Sequence, residues 1–270
     1  MMRPLSPAHA AFAATMIALG LIGLISGDFA PVLSGVPGDM PGREALACAG
    51  ALLLLGAGLG LVWRRTAALC ALVLLAAFLL WLLLVKGRFI LIAPLQEASY
   101  QSAGETTVMA AAAWVLLHRL AGGWRRPGLA LLAGDTGLRI AKSLYGLALI
   151  AFGFSHFVYL DLTAPLVPAW LGWPVGWAYF TGGAYLAAGA AILAGRRARF
   201  AAVLVAVQIG LITLLVWGPM LVAGGMTAMH WRETVVSVAL TAAAWVLAEF
   251  RRGDRGLVGA DGLEPPTRTV

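Results

Sequence analysis

FGFSHFVYLDLTAPLVPAWLGWPVGWAYFTGG, residues 152–183, joins the end of one apolar run to the start of the next. It places His156 at the end of the first run, then Tyr159 and Asp161. Three prolines follow, Pro165, Pro168 and Pro174, interleaved with Trp170, Trp173 and Trp177. Proline cannot continue a helix interior, and tryptophan concentrates where hydrocarbon meets water. A stretch of this kind is the turn of a helical hairpin at a membrane boundary. The three tryptophans read either as an aromatic belt or as a lid over a pocket, with the prolines stiffening an interfacial loop.

Composition extends that reading to the whole chain. Its 270 residues are 61% hydrophobic and 11% charged, and the mean hydropathy is +0.89. Soluble domains carry about 25% charged residues. Less than half that charge cannot cover a soluble surface, so a lipid bilayer must be the solvent for much of it. The net charge of +7 does not point to nucleic acid, because the arginines sit in short clusters between apolar runs, as in loops beside membrane helices. Lysine is confined to Lys86 and Lys142 while Arg, Ala, Gly and Leu abound. That bias suits a GC-rich bacterial genome and hence the bacterial cytoplasmic (inner) membrane. Cys48 and Cys70 form no CxxC pair and read as free core thiols. Arg3 followed by an apolar run resembles a signal peptide, but the run is long enough to span and reads as a retained first helix.

Eight segments approach the roughly 20 apolar residues that a bilayer requires: residues 10–26, 45–63, 67–85, 106–120, 138–159, 176–193, 200–220 and 234–250, the fourth being short and open to extension to Gly104 or beyond. Arginines are in excess on alternate connections, at Arg64 and Arg65, at Arg119, Arg125, Arg126 and Arg139, at Arg196, Arg197 and Arg199, and after the eighth segment, while the other connections hold acids and aromatics apart from Lys86, Arg88 and Arg232. Positive charge stays inside, so both termini are cytoplasmic. The halves match. GLGLVWRRTAALCALVLL (58–75) answers to GAAILAGRRARFAAVLVA (189–206), GETTVMAAAAWVL (104–116) to RETVVSVALTAAAWVL (232–247), and GLISGDFAPVLSGVP (23–37) to 153–168. The fold class is therefore all-α: a polytopic membrane protein with eight transmembrane helices, arranged as two parallel four-helix bundle repeats. The first repeat spans 1–121, a cytoplasmic linker 122–137, the second repeat 138–252, and a polar Gly/Pro-rich tail 253–270. Glycines inside helices, among them Gly56, Gly58, Gly60, Gly182, Gly183 and Gly189, let backbones approach in lipid.

Ionisable groups inside a membrane are costly and therefore mark candidate sites. His156 at the end of helix five and Glu233 at the start of helix eight share a depth, with His230 one turn before Glu233. The pair is either a tie between helices or a ligand-binding or proton-handling site. A zinc site wants three or four ligands; His156, His230 and Glu233 would be the only such set, and no metal is expected. Asp28 and Glu105 hold the corresponding places in the first half, where two carboxylates would require a proton or a cation such as Lys86 or Arg88. Lys86 itself reads as a snorkelling residue at a helix end. Gln208, within helix seven, is helix-to-helix glue or the lining of a polar cavity.

The second half resembles the DoxX-like family of four-helix membrane proteins. The resemblance rests on GLALIAFGFSHFVYLD (146–161), PLVPAWLGWP (165–174) and GGAYLAAGAAILAGRRARFAAVLV (182–205). The first half looks like a degenerate copy, with Gly27-Asp28-Phe29 in place of Ser155-His156-Phe157. The resemblance implies an accessory component of membrane redox metabolism, with membrane redox partner proteins and a quinone as possible cofactor. Carried onto this chain, it points to a quinone-like or lipidic ligand near His156, Tyr159, Asp161, Gln208, His230 and Glu233. No self-contained catalytic motif is visible; as an enzyme the chain would be a quinone-linked oxidoreductase subunit, with His156 and Glu233 as catalytic candidates. A non-catalytic membrane scaffold or assembly factor and a small-solute carrier are the other two readings.

Overall fold

The computed structural model describes residues 5–121 and 127–249. The expected tail and residues 122–126 of the expected linker lie outside them. Among the described residues the fold is helical throughout, with no strand. Eight helices carry it: α1 (Pro7–Ser26), α2 (Arg43–Val62), α3 (Arg64–Ile92), α4 (Glu97–Leu120), α5 (Asp135–Val158), α6 (Pro174–Leu193), α7 (Ala198–Ala223) and α8 (Ala228–Glu249). Short pieces connect them, notably Pro31–Leu33 after α1, Pro127–Ala133 before α5, and Leu160–Thr163, Ala164–Leu166 and Ala169–Leu171 between α5 and α6. The helix expected from residue 138 begins at Asp135, and part of the expected linker is itself helical.

Boundaries follow local chemistry. Ser6 caps α1 by accepting from the His9 amide, and Gly27 ends it in the left-handed region at φ 65°. Pro174 opens α6, where a missing amide costs nothing. α3 and α7 each widen into one π-helical turn, Leu82–Lys86 and Thr213–Trp217.

Five helices, α1, α2, α3, α5 and α7, are long and apolar enough to cross a membrane. α3 reaches a mean hydropathy of 3.0 with 28% of its apolar window buried, and α7 2.4 with 28%. Their outer faces expose Leu80, Leu83 and Leu84, and Leu204, Leu211 and Leu214. Apolar side chains exposed along these helices are compatible with a multi-pass membrane protein. α4, α6 and α8 fall outside that group. α4 is buried at every position from 103 to 118, and its Ala110–Ala113 run gives neighbours a flat surface to approach.

The packing order is α1–α2–α3–α4 and α5–α6–α7–α8, closed by three further contacts: α4 with α5, α8 with α1, and α4 with α8. The fourth helix of each half thus lies at the centre and serves both halves. α5 and α6 meet at two glycine pairs. A methyl group on Gly189 would stand 2.7 Å from the Gly146 carbonyl oxygen, and one on Gly182 would stand 3.1 Å from that of Gly153 and 2.8 Å from His156 Cβ. Gly183 and Gly56, by contrast, face open space. Cys48 and Cys70 are free thiols, but Cys48 is exposed rather than in the core.

Chain direction alternates, which gives the bundle two unlike ends. One carries the turns around Arg64 and Arg65 and around Arg196, Arg197 and Arg199, with Arg119 and Arg139. There Glu249 accepts from the Ala8 amide (3.3 Å) and pairs with Arg119 (3.3 Å), joining α1, α4 and α8. The other end carries the connections 27–42, 93–96, 159–173 and 224–227 and most of the acidic residues.

Candidate functional site

The first turns of α4 set Glu97, Gln101 and Glu105 four residues apart, which aligns them on one helix face. Across from this face α5 brings Ser155 and His156, α6 Tyr185, α7 Trp217, and α8 Glu233 and Ser237. Between them lies a cavity of about 140 Å³, lined by all of these except Glu97. At about 30 Å³ per water, it has room for a few waters or one small head group. Five helices from both halves build it.

Its polar groups are incompletely satisfied. Glu105 is 5% exposed, and its Oε2 has no partner among the described residues. It lies within electrostatic range of Glu233, Lys86 and Arg232. Both carboxyl oxygens of Glu97 are also buried without a partner; neighbouring Ser155 already donates to the Phe152 carbonyl (2.9 Å). His156 Nδ1 donates to that same carbonyl, in its own helix, at 2.8 Å. This fixes the proton on Nδ1 and leaves Nε2 as the ring's open acceptor. The ring packs against Tyr185, centroids 5.4 Å apart. Close approach at Gly182 is what lets α6 pass the His156 side chain.

A second polar cluster adjoins the first. Lys86, at the end of the α3 π turn, is 2% exposed. Its Nζ donates to Ser102 Oγ (2.6 Å) and Ser34 Oγ (3.2 Å). Arg232 donates to the same Ser34 hydroxyl (3.2 Å). Lys86 therefore does not snorkel outward. The π turn aims it inward, beside the carboxyl of Glu105. Glu105 stands between the two clusters, so a polar belt runs from Lys86 through Glu105 and Glu233 to His156.

The residues singled out in the sequence divide accordingly. His156 and Glu233 line one cavity, though among the described residues no hydrogen bond ties them together. Tyr159 lies outside that lining; its hydroxyl accepts from the Ala98 amide (3.1 Å) at the start of α4. Asp161 is exposed. Gln208 Nε2 donates to the Thr181 carbonyl (3.1 Å) and joins α7 to α6. His230 accepts from the Thr227 amide (3.5 Å) through Nδ1 and donates its own amide to the Thr227 hydroxyl (3.2 Å), a local cap of α8. Among the described residues no three His, Cys, Asp or Glu side chains come together as metal ligands. Asp28 does not confront Glu105; it pairs with Arg43 at 2.6 Å. Trp170 and Trp173 are 71% and 79% exposed and do not line the cavity, where Trp217 stands instead. The contributions of Gln101 and Trp217 were not foreseen. The four-residue spacing of Glu97, Gln101 and Glu105 in an otherwise small-residue helix was the available signal.

The cavity can thus accept a hydrogen bond at His156 Nε2 and offer carboxyl groups from both halves. No protein-family model matches the chain, and no curated protein or solved structure is significantly similar to it.

Proposed function

We propose that the chain is an integral membrane protein of the bacterial inner membrane that crosses the bilayer eight times. On this reading it is a DoxX-like protein made of two duplicated halves, and its central cavity binds the head group of a quinone-like ligand. The arginine-rich end faces the cytoplasm with both termini, following the positive-inside rule. Three observations support the duplication: α6 and α8 begin at Pro174 and Ala228 much as α2 and α4 begin at Arg43 and Glu97, the π turns recur at Leu82–Lys86 and Thr213–Trp217, and Trp114 matches Trp245.

One observation carries the ligand reading: His156, Glu105 and Glu233 border one small cavity. A quinone carbonyl needs hydrogen-bond donors, and its two-electron reduction consumes two protons. The carboxyl groups can donate in their protonated form, while His156, protonated at Nε2, can pass on a proton. The electrons must come from a membrane redox partner protein, so the chain acts as an accessory subunit. The cavity volume limits the buried part of the ligand to a single ring, with any tail leaving between helices into the bilayer.

The test is purification in mild detergent and mass spectrometry of co-purified small molecules, for wild type, His156→Ala and Glu233→Gln. A quinone retained by wild type and reduced in both variants supports the site. Equal retention in all three, or nothing bound in any, removes it and leaves the scaffold reading.

A further inference from the structure

A second and larger cavity lies away from the polar belt, in the first half, between α2, α3 and residues 33–40. It measures about 500 Å³, within the roughly 300–1,000 Å³ of ligand pockets. Leu53 of α2, Phe78, Trp81 and Phe89 of α3, and Met40 of the connection help form its wall; Arg88 is its one charged lining residue. Helices α2 and α3 are joined at the opposite end by Trp63 alone, so their contact is fixed there and the pocket opens at the end where Arg88 stands.

Its charge pattern is specific. Four cationic side chains gather at this end of the bundle: Arg43, Lys86, Arg88 and Arg232. Arg43 is engaged by Asp28 at 2.6 Å and lies 5.3 Å over the Phe29 ring. Lys86 is spent on Ser34 and Ser102, and Arg232 on Ser34. Arg88 is exposed and makes no hydrogen bond or ion pair among the described residues. The π turn at Leu82–Lys86 accounts for the division, since it carries Lys86 inward and leaves Arg88 at the pocket.

We propose that this pocket binds an anionic phospholipid, with an acyl chain between α2 and α3 and the head-group phosphate on Arg88. An apolar void of this size costs packing energy if left empty and offers water too few partners. Hydrocarbon is the filler that a bilayer supplies. A neutral lipid would fill the volume but leave the guanidinium without a counterion. A phosphate accepts its paired N–H groups in a bidentate fork, and a head group without a cation of its own leaves that phosphate free to do so. This site is separate from the His156 cavity and stands whatever that cavity holds.

The experiment titrates the purified full-length protein with micelles of phosphatidylcholine alone or with added phosphatidylglycerol, and counts retained lipids by native mass spectrometry. Wild type is expected to keep one phosphatidylglycerol with a preference of about tenfold, the size of one charge-assisted hydrogen bond. Arg88→Gln, an exposed change, removes the preference but not the occupancy. Ala77→Phe, which fills the pocket, removes both. Arg65→Gln, exposed at the other end, changes neither. Equal retention of the two lipids by wild type, or an Arg88→Gln protein with unaltered preference, overturns the proposal. So does displacement of the bound lipid by a free fatty acid or a quinone at equal concentration.

Discussion

The two halves place different groups at the same station of the bundle. In residues 7–120 the π turn of α3 ends on Lys86, whose ammonium reaches Ser34 and Ser102 and closes the interior. In residues 135–249 the π turn of α7 ends on Trp217, which borders an open cavity. One interior is plugged by a cation and the other is hollow, with an imidazole at its wall. The same helical frame therefore separates two tasks. The Lys86 side offsets the buried carboxyl of Glu105, and the His156 side leaves a ring nitrogen open. Because Glu105 belongs to α4, which packs on both halves, a change on the plugged side is felt on the hollow side.

The largest effect is expected at the plug. Lys86→Met removes two hydrogen bonds and the nearest compensating charge for a buried carboxyl. Breaking such an arrangement costs about 3–5 kcal/mol, read as a lowered unfolding midpoint in detergent. Adding Glu105→Gln should recover part of the loss, since the orphaned charge is then gone. A double variant no more stable than Lys86→Met alone would show that Lys86 matters only through Ser34 and Ser102.

On the hollow side the comparison sharpens at two adjacent glycines. Gly182→Ala drives a methyl group against His156 Cβ and the Gly153 carbonyl, an overpacking that costs about 1–3 kcal/mol. Gly183→Ala meets nothing within 4 Å and should be neutral, or stabilising by up to about 1 kcal/mol through helix propensity. The contrast, measured by thermal unfolding, fails if both variants behave alike.

These examples also show what the sequence could and could not tell. All eight long helices were visible as runs of apolar and small residues, and five of them are long and apolar enough to cross a membrane. Their starts were less visible where ionisable or amide side chains interrupt the apolar run. α4 begins at Glu97 and α8 at Ala228, before the runs expected from 106 and 234, since Glu97, Gln101 and Glu105 in the one and His230, Arg232 and Glu233 in the other break the apolar pattern of the first turns. His156 and Glu233 were recognisable as a pair because an ionisable group in an apolar run stands out. Glu105 was recognised but assigned to Asp28, since sequence order cannot show that α4 packs against the other half. Lys86 was one of the two cations offered for Glu105, but its reading as a snorkelling residue fails for a related reason: at a helix end a lysine ordinarily reaches for water, and here it ends a π turn and is buried.

A smaller effect is expected where the halves touch at Tyr159. Its hydroxyl accepts the Ala98 amide at 3.1 Å, one of the amides that α4 itself cannot satisfy. Tyr159→Phe should cost about 0.5–1.5 kcal/mol and speed amide exchange at the start of α4 more than at the start of α8. Uniform acceleration in both helices would mean that Tyr159 acts through general packing instead.

The smallest effect tests whether Asp28 has any share in the interior. If it were the working counterpart of His156, Asp28→Asn would disturb the polar belt and change stability as much as a substitution in the cavity. The geometry argues otherwise. Asp28 points to Arg43, and their side chains are 53% and 25% exposed, so the pair sits where water and salt screen it. Exposed ion pairs contribute less than about 1 kcal/mol, and added salt weakens them further. Asp28→Asn should therefore shift the midpoint slightly at low ionic strength and not measurably at high ionic strength, leaving ligand retention at His156 unchanged. A salt-insensitive loss, or a loss of retained ligand, would put Asp28 inside the functional unit and make the two interiors more alike than their side chains imply.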